Sequence, residues 1–94
     1  MGFGLDFSEQ FTAQSKRLSK EIKAKLEKCL LHLSDNPRHP ALRTHKVRNA
    51  QGFFSETVFE AYVDKKYRIT WEYKDSGSLY LRNVDNHDEC LKNP

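Results

Sequence analysis

The sequence predicts one α+β domain over residues 1–94: a short strand, one or two helices, and then four strands in an antiparallel meander. Three observations lead to this fold class. Apolar residues recur at helical spacing in the first third of the chain, and they alternate with polar residues in the second half. A chain of 94 residues with 37 % hydrophobic and 31 % charged residues buries one modest core beneath a solvated surface.

The first strand is predicted where Phe3, Leu5 and Phe7 alternate with glycine and aspartate. Ser8 then supplies a helix N-cap, and an apolar stripe follows at helical spacing. The helical part ends at residues 34–37, Ser-Asp-Asn-Pro. Ser19 is a second possible N-cap, but the stripe would also continue as a single helix, so the pattern alone leaves one or two helices open. The stripe consists of Phe11, Leu18, Ile22, Leu26, Cys29, Leu30 and Leu33.

The meander begins after a connector at residues 38–40, where Pro37 and Pro40 disfavour a helix. We predict strands at 42–47 and 53–63, the second of which has apolar residues on both parities and therefore belongs in the middle of the sheet. The last two strands form a hairpin over 67–91, with turn chemistry at Asp-Ser-Gly 75–77. The helices then cover one side of a mainly antiparallel sheet.

The net charge of +3 is unevenly distributed. Through Arg48 the chain has ten Lys or Arg against five Asp or Glu, and from Asn49 onward it has six against eight. The compact cluster of Arg43, His45, Lys46 and Arg48 just before the main sheet is a better candidate for phosphate contacts than the solvated lysines of the helical part. The sequence shows neither an apolar run of membrane-spanning length nor a signal peptide, so we expect a cytoplasmic protein.

The two cysteines are far apart in sequence and show no metal-like spacing. In a reducing compartment both are predicted to be thiols. Cys29 lies on the apolar stripe, where a thiol packs as a small hydrophobe. Cys90 follows His87 by three residues, so a Cys/His nucleophile pair is conceivable but unsupported by any further residue.

One sheet surface carries the groups needed to handle a phosphate. Arg68 alternates with the apolar residues of its strand, so it projects from the polar face, and His87 follows directly after the next strand. Simpler interpretations exist for both residues. Arg68 could pair with Glu60 or Glu72 across the sheet, and His87 could bond to a neighbouring aspartate. A base-stacking ring could also come from the strand aromatics, Tyr62, Tyr67, Trp71, Tyr73 and Tyr80, although most of these alternate as core residues.

Three short motifs resemble the RelE/ParE superfamily of bacterial toxins, nearest the RelE/YafQ-like branch. They are L-R-T-H-K-V-R around position 45, K-Y-R-I-T-W-E in the hairpin, and N-V-D-N-H-D-E near the end. The resemblance covers nearly the whole chain. It implies a microbial RNase-like fold, with a helical hairpin packed on a twisted sheet of four or five strands, and so it favours two helices.

The resemblance also implies a function. Such toxins are ribosome-dependent endoribonucleases that cut mRNA without a metal or other cofactor, and a cognate antitoxin protein holds them inactive. In this chain His87 would be a general acid or base, Arg68 would hold the scissile phosphate, and His45 would transfer a second proton or orient the substrate. Arg43, Lys46 and Arg48 would grip the flanking RNA backbone or ribosomal RNA.

Two other functions remain open from the sequence. The strand before Arg68 offers Phe59, Glu60 and Ala61 where active relatives often carry Lys or Arg, and acidic residues flank His87. The chain could therefore be a non-catalytic ParE-like toxin that binds DNA gyrase, or a degenerate relative that only binds its antitoxin. In all three cases we expect a groove that accepts an amphipathic antitoxin segment.

Overall fold

The computed structural model describes residues 2–92 and 94. The elements are β1 (Gly4–Phe7), α1 (Glu9–Lys16), α2 (Lys20–Asp35), a 3-10 turn (Pro40–Leu42), β2 (His45–Lys46), β3 (Phe59–Tyr62), β4 (Tyr67–Asp75), β5 (Ser78–Asn86) and α3 (His87–Lys92). This α+β order confirms the predicted fold class, a strand and helical hairpin followed by a four-stranded meander.

Two serines begin the two helices of the hairpin. The Ser8 hydroxyl accepts a hydrogen bond from the Phe11 amide (2.9 Å), and the Ser19 hydroxyl accepts one from the Ile22 amide (3.3 Å). Each bond satisfies an amide that has no partner within its helix. The helical structure is therefore interrupted between Lys16 and Lys20, and the two-helix alternative is the correct one.

The sheet has the strand order β1-β5-β4-β3-β2. Strands β2 to β5 are antiparallel neighbours, while β1 lies parallel to β5, with Leu5 opposite Leu79. The N-terminal strand thus extends the meander to a mixed sheet of five strands. Because β1 comes from the other end of the chain, its pairing ties the termini of the fold together.

The core lies between the hairpin and one face of the sheet. Alternate residues of β3, β4 and β5 point toward it, and Phe59 stacks on Trp71 with ring centroids 4.7 Å apart. The buried apolar residues are Phe11, Leu26, Cys29, Leu33, Leu42, Phe59, Ala61, Ile69, Trp71, Leu79, Leu81 and Val84. The other face of the sheet is left for polar residues. None of the helices in the described ranges is long and apolar enough to cross a membrane.

Two predicted strands are much shorter than expected. The segment 42–47 forms a strand only at His45–Lys46, because Arg43 adopts a left-handed conformation (φ 49°) at the end of the 3-10 turn. The segment 53–63 forms a strand only at Phe59–Tyr62, and residues 53–55 bond instead to a side chain of β4. Helix α3 was not predicted, and all of it except Lys92 lies within the stretch 67–91 that we predicted as a hairpin.

Candidate functional site

The polar face of the sheet brings together residues from β2, β3 and β4. Glu60 lies directly opposite His45 on one side and opposite Thr70 on the other. Tyr62 lies opposite Arg68. Because successive residues of a strand point to opposite faces, Glu60 and Tyr62 share this face with Arg68 and Thr70. Helix α3 begins immediately after β5 and places His87 beside the same residues.

The Glu60 carboxylate is fully buried at the centre of the site. His45 Nε2 lies 3.0 Å from its Oε1, His87 Nδ1 lies 3.4 Å from its Oε2, and Arg68 Nε lies 3.8 Å from its Oε1. Within residues 2–92 and 94, neither carboxylate oxygen accepts a well-aligned hydrogen bond. The carboxylate and Arg68 are shielded from water, whereas the side chains of His45 and His87 are 50 % and 44 % exposed.

The structure gathers the three residues that the sequence nominated for catalysis around this carboxylate. Their roles in a reaction remain predictions. Glu60 itself was not nominated as a site residue, although it was named as a possible partner of Arg68. Only the strand register shows that it faces both histidines.

The guanidinium of Arg68 is engaged by the protein. The residue is 6 % exposed, and its Nη1 donates hydrogen bonds to the main-chain oxygens of Asp64 (2.7 Å) and Lys65 (2.6 Å). Its Cζ lies 3.6 Å from the ring centroid of Tyr62, a close cation–π contact. Arg68 thus stabilises the turn between β3 and β4 through Nη1, while its Nε faces Glu60.

The two histidines differ in the nitrogens that they leave free. In His45, Nδ1 lies 2.9 Å from the Arg43 main-chain oxygen and Nε2 faces Glu60, so both ring nitrogens meet acceptors. The contact at Nδ1 is a hydrogen bond, whereas Nε2 faces Glu60 without a well-aligned one. In His87, Nδ1 faces Glu60 and is buried, which leaves Nε2 as the nitrogen open to a substrate. His87 is therefore better placed for proton transfer to a substrate than His45, both of whose ring nitrogens face protein oxygens.

The basic residues Arg43, Lys46 and Arg48 lie beside the site on β2 and its flanks. All three are exposed. In the described part of the chain, neither Lys46 nor Arg48 has a carboxylate within 4.0 Å, whereas Arg43 stands 5.3 Å from the Tyr62 ring. Their charges are available to an anionic partner, and their RNA-binding role remains a prediction.

Cys90 does not form a nucleophile pair with His87. Its side chain is fully buried, and burial raises the pKa of its thiol to about 12. Its Sγ donates toward the Arg68 main-chain oxygen at 3.3 Å, which packs α3 against β4. Cys29 is buried on α2, as the apolar stripe predicted, and burial raises the pKa of its thiol to about 12.

A second buried carboxylate on the polar face, Glu72, holds the loop that precedes β3. It accepts hydrogen bonds from the amides of Phe53 (3.0 Å), Phe54 (2.6 Å) and Ser55 (3.0 Å). Arg82 on β5 donates to the same carboxylate at 2.5 Å. Charge-assisted bonds of this kind are about twice as strong as neutral ones, so the loop is fastened firmly to the sheet.

Between the two carboxylates, Pro94 lies over the middle of this face. Its main-chain oxygen accepts hydrogen bonds from Thr70 Oγ1 (3.1 Å) and from Arg82 Nε (2.7 Å). Thr70 lies directly opposite Glu60. The end of the described chain therefore separates the Glu60 cluster from the loop that Glu72 holds.

Gly52 gives a test of how tightly this loop is held. A Cβ at position 52 would overlap the Glu72 carboxylate, whereas a Cβ at Gly77 would meet nothing within 4 Å. We expect Gly52→Ala to lower the free energy of unfolding by about 1–3 kcal/mol, since the carboxylate must move from its amide partners. We expect Gly77→Ala to change it by less than about 0.5 kcal/mol. Urea unfolding of both variants measures the difference, and equal effects would contradict the tight anchoring.

The strand aromatics differ in their availability for stacking on a base. Trp71 is fully buried in the core, Tyr73 packs against the core, and Arg68 lies against the ring of Tyr62. Tyr62, Tyr67, Tyr73 and Tyr80 are all partly exposed, and Tyr80 contacts Phe53 and Phe54. Sequence reasoning missed both phenylalanines because it placed them inside a long strand.

The fold is that of known bacterial and archaeal toxins. The chain superposes on the toxin of the E. coli DinJ-YafQ toxin-antitoxin complex with a TM-score of 0.72 and 14 % identity, covering 95 % of this chain and 97 % of the other. For the archaeal RelE-RelB complex of Pyrococcus horikoshii the TM-score is 0.68 at 16 % identity, with 92 % and 96 % covered. For the Staphylococcus aureus YoeB dimer it is 0.67 at 16 %, with 93 % and 99 % covered.

These likenesses concern the fold. No protein-family model matches the chain. A search of curated protein sequences also finds no match. The structure thus supports the RelE-type fold that the three motifs indicated, while the activity must be argued from the site itself.

Proposed function

We propose that this chain is the toxin of a type II toxin-antitoxin system and that it inhibits translation by cutting mRNA on the ribosome. The observation that carries the proposal is the convergence of His45, His87 and Arg68 on the buried Glu60 carboxylate, on the open face of a YafQ- and RelE-like fold. We expect it to act in the cytoplasm, where translating ribosomes are found.

The proposed reaction is transfer of an RNA phosphate from the 5′-oxygen to the neighbouring 2′-oxygen. The 2′-oxygen forms a bond to phosphorus and loses its proton, and the 5′-oxygen leaves and takes up a proton. His87 would exchange protons with the RNA through Nε2, since Glu60 holds its Nδ1 side. His45 would orient the substrate or transfer a second proton, and the guanidinium of Arg68 would stabilise the charge that develops on the phosphate.

Strand β3, which departs from the family pattern, contributes to the proposed reaction. Glu60 stands where active relatives often carry a basic residue, and it faces both imidazoles. A carboxylate in this position orients a histidine ring and stabilises its protonated form during proton transfer. We therefore assign Glu60 as a positioning residue that acts through His45 and His87.

The proposal is tested by inducing the isolated chain in bacterial cells and mapping new mRNA 5′ ends by primer extension. Cuts that keep the reading frame of translated codons are expected. If growth stops without such cuts, the nuclease is excluded, and inhibition of DNA gyrase should be measured instead. If growth continues unchanged, the chain is a relative that has kept only its binding to an antitoxin.

The partner is proposed to be a cognate antitoxin protein, since YafQ and RelE occur in complexes with DinJ and RelB. An apolar groove between β1 and α2 fits an amphipathic antitoxin segment. It is lined by Leu5, Phe7, Leu30 and Leu31, of which Leu31 is 72 % exposed. The strand β1 also lies at the edge of the sheet, so its outer side is open to a partner.

We expect Leu31→Gln to weaken antitoxin binding at least about tenfold, because burying an exposed leucine side chain in an interface contributes about 1.5–3 kcal/mol. Lys23→Gln, also on an exposed part of α2, serves as the control. Titration calorimetry with the cognate antitoxin measures both, and growth rescue by co-expressed antitoxin reports the effect in cells. Unchanged affinity in Leu31→Gln would place the antitoxin elsewhere.

A further inference from the structure

The loop before β3 presents two neighbouring aromatic rings to solvent. Phe53 is 79 % exposed and Phe54 is 50 % exposed. Both stand edge-on to Tyr80, with centroid distances of 6.4 Å and 5.1 Å. Exposing two adjacent phenylalanines to water is unfavourable, so such a surface requires an explanation.

The rings are held in place before any ligand arrives. The amides of Phe53 and Phe54 bond to the buried Glu72 carboxylate, and the Gly52 amide bonds to the Ser55 main-chain oxygen at 2.9 Å. The close approach of Gly52 to Glu72 leaves no room for a side chain at that position. Binding to such a fixed surface costs little conformational entropy, because the loop is already ordered.

Cationic and polar groups surround the rings. Arg82 Cζ lies 5.0 Å from the Phe53 centroid, and Lys74 Nζ lies 5.3 Å from the Phe54 centroid. Next to Phe53 a cleft of about 400 Å³ is lined by polar side chains, among them Asn49, Gln51 and Lys92. Arg82 is paired with Glu72 and Lys74 is paired with Asp6, so the partner that suits this surface combines flat rings with hydrogen-bonding edges.

The aromatic loop shares the polar face with the Glu60 cluster. Thr70 lies opposite Glu60, and Glu72, which holds the loop, is two residues further along the same face of β4. Two residues of a strand span about 7 Å. A single-stranded RNA bound at the cluster and passing over Pro94 would therefore reach the rings with a nucleotide close to the scissile phosphate.

We propose that Phe53, Phe54 and Tyr80 form a stacking platform for the bases of single-stranded RNA beside the cleavage site. The proposal rests on the proposed function for the identity of the nucleic acid. Aromatic platforms flanked by cations bind single strands without strict sequence preference, because every base offers a flat face. An apolar protein segment fits less well here than in the groove of β1 and α2, since cations and amides adjoin the rings.

The test compares two labelled RNA probes by fluorescence anisotropy, one an ordinary single-stranded oligonucleotide and the other an abasic strand of equal length. All proteins carry His87→Ala, so that no cleavage occurs. The unaltered platform should bind the ordinary strand more tightly. Phe53→Ala should weaken that binding about tenfold while leaving the abasic strand unaffected, and Phe53→Tyr should restore it. Thr12→Ala, at an exposed position on α1, should change neither affinity.

Three results would overturn the platform. Equal affinity for the two probes would show that bases are not bound, and equal losses on both probes in Phe53→Ala would indicate a general effect on the fold. Loss of antitoxin binding alone would identify a protein contact. The binding assay requires neither cleavage nor a ribosome, so base-dependent binding in a chain that makes no mRNA cuts would contradict the proposed nuclease and leave the platform intact.

Discussion

His87→Ala is expected to abolish the mRNA cuts and the growth arrest that the unaltered chain causes. His87 has one ring nitrogen buried against Glu60 and the other open to a substrate, the arrangement required for proton transfer to RNA. Removing a general acid or base typically lowers a rate by about 10²–10⁴-fold. Primer extension at equal expression levels measures the loss.

The matched control for this substitution is His32→Ala. His32 stacks on His39 with centroids 4.0 Å apart, and it lies on α2, on the side of the sheet opposite the site. We expect it to leave the cuts unchanged. Because His87→Ala also removes a partner of the buried Glu60 carboxylate, the melting temperature of this variant is measured together with the cuts. A loss of cuts that accompanied unfolding, or cuts that persisted in His87→Ala, would argue against its proposed role.

Glu60→Ala is expected to lower the free energy of unfolding by about 3–5 kcal/mol. The substitution leaves the buried Arg68 and two imidazoles without the carboxylate that they face, and the penalty of an uncompensated buried charge is large. Urea unfolding near neutral pH measures the change. Glu56→Ala, an exposed glutamate on the loop before β3, is the control and should change stability by less than about 0.5 kcal/mol.

A double-mutant cycle separates the charge contact from simple packing. Arg68→Met removes the positive charge but keeps a long side chain. If Glu60 and Arg68 stabilise each other, Arg68→Met should be less harmful in the Glu60→Ala background than in the unaltered chain. Strictly additive effects would show that the 3.8 Å contact contributes nothing and that Glu60 acts through the histidines alone.

Much of the architecture was accessible from local patterns. Alternation in the hairpin, the helical stripe from Phe11 to Leu33 and the capping serines each report on a few neighbouring residues. The structure agrees with them, except that residues 87–91 of the predicted hairpin form α3. Residue type together with the family resemblance led to His45, Arg68 and His87, because imidazole and guanidinium suit phosphate chemistry. Short-range physics was sufficient for the elements and for a set of candidates.

What the tertiary structure alone decided depends on contacts between residues far apart in sequence. Glu60 looks like an ordinary strand residue until the register places it opposite His45 and beside His87. Residues 53–55 look like part of a strand from the sequence. In the structure their amides donate hydrogen bonds to the carboxylate of Glu72, 17 to 19 positions later, and the Phe53 side chain is exposed. The sequence by itself determined the α+β fold class and the side chains suited to phosphate chemistry. Strand pairing decided which charged groups meet, because a buried carboxylate can be balanced only by groups that the fold brings to it.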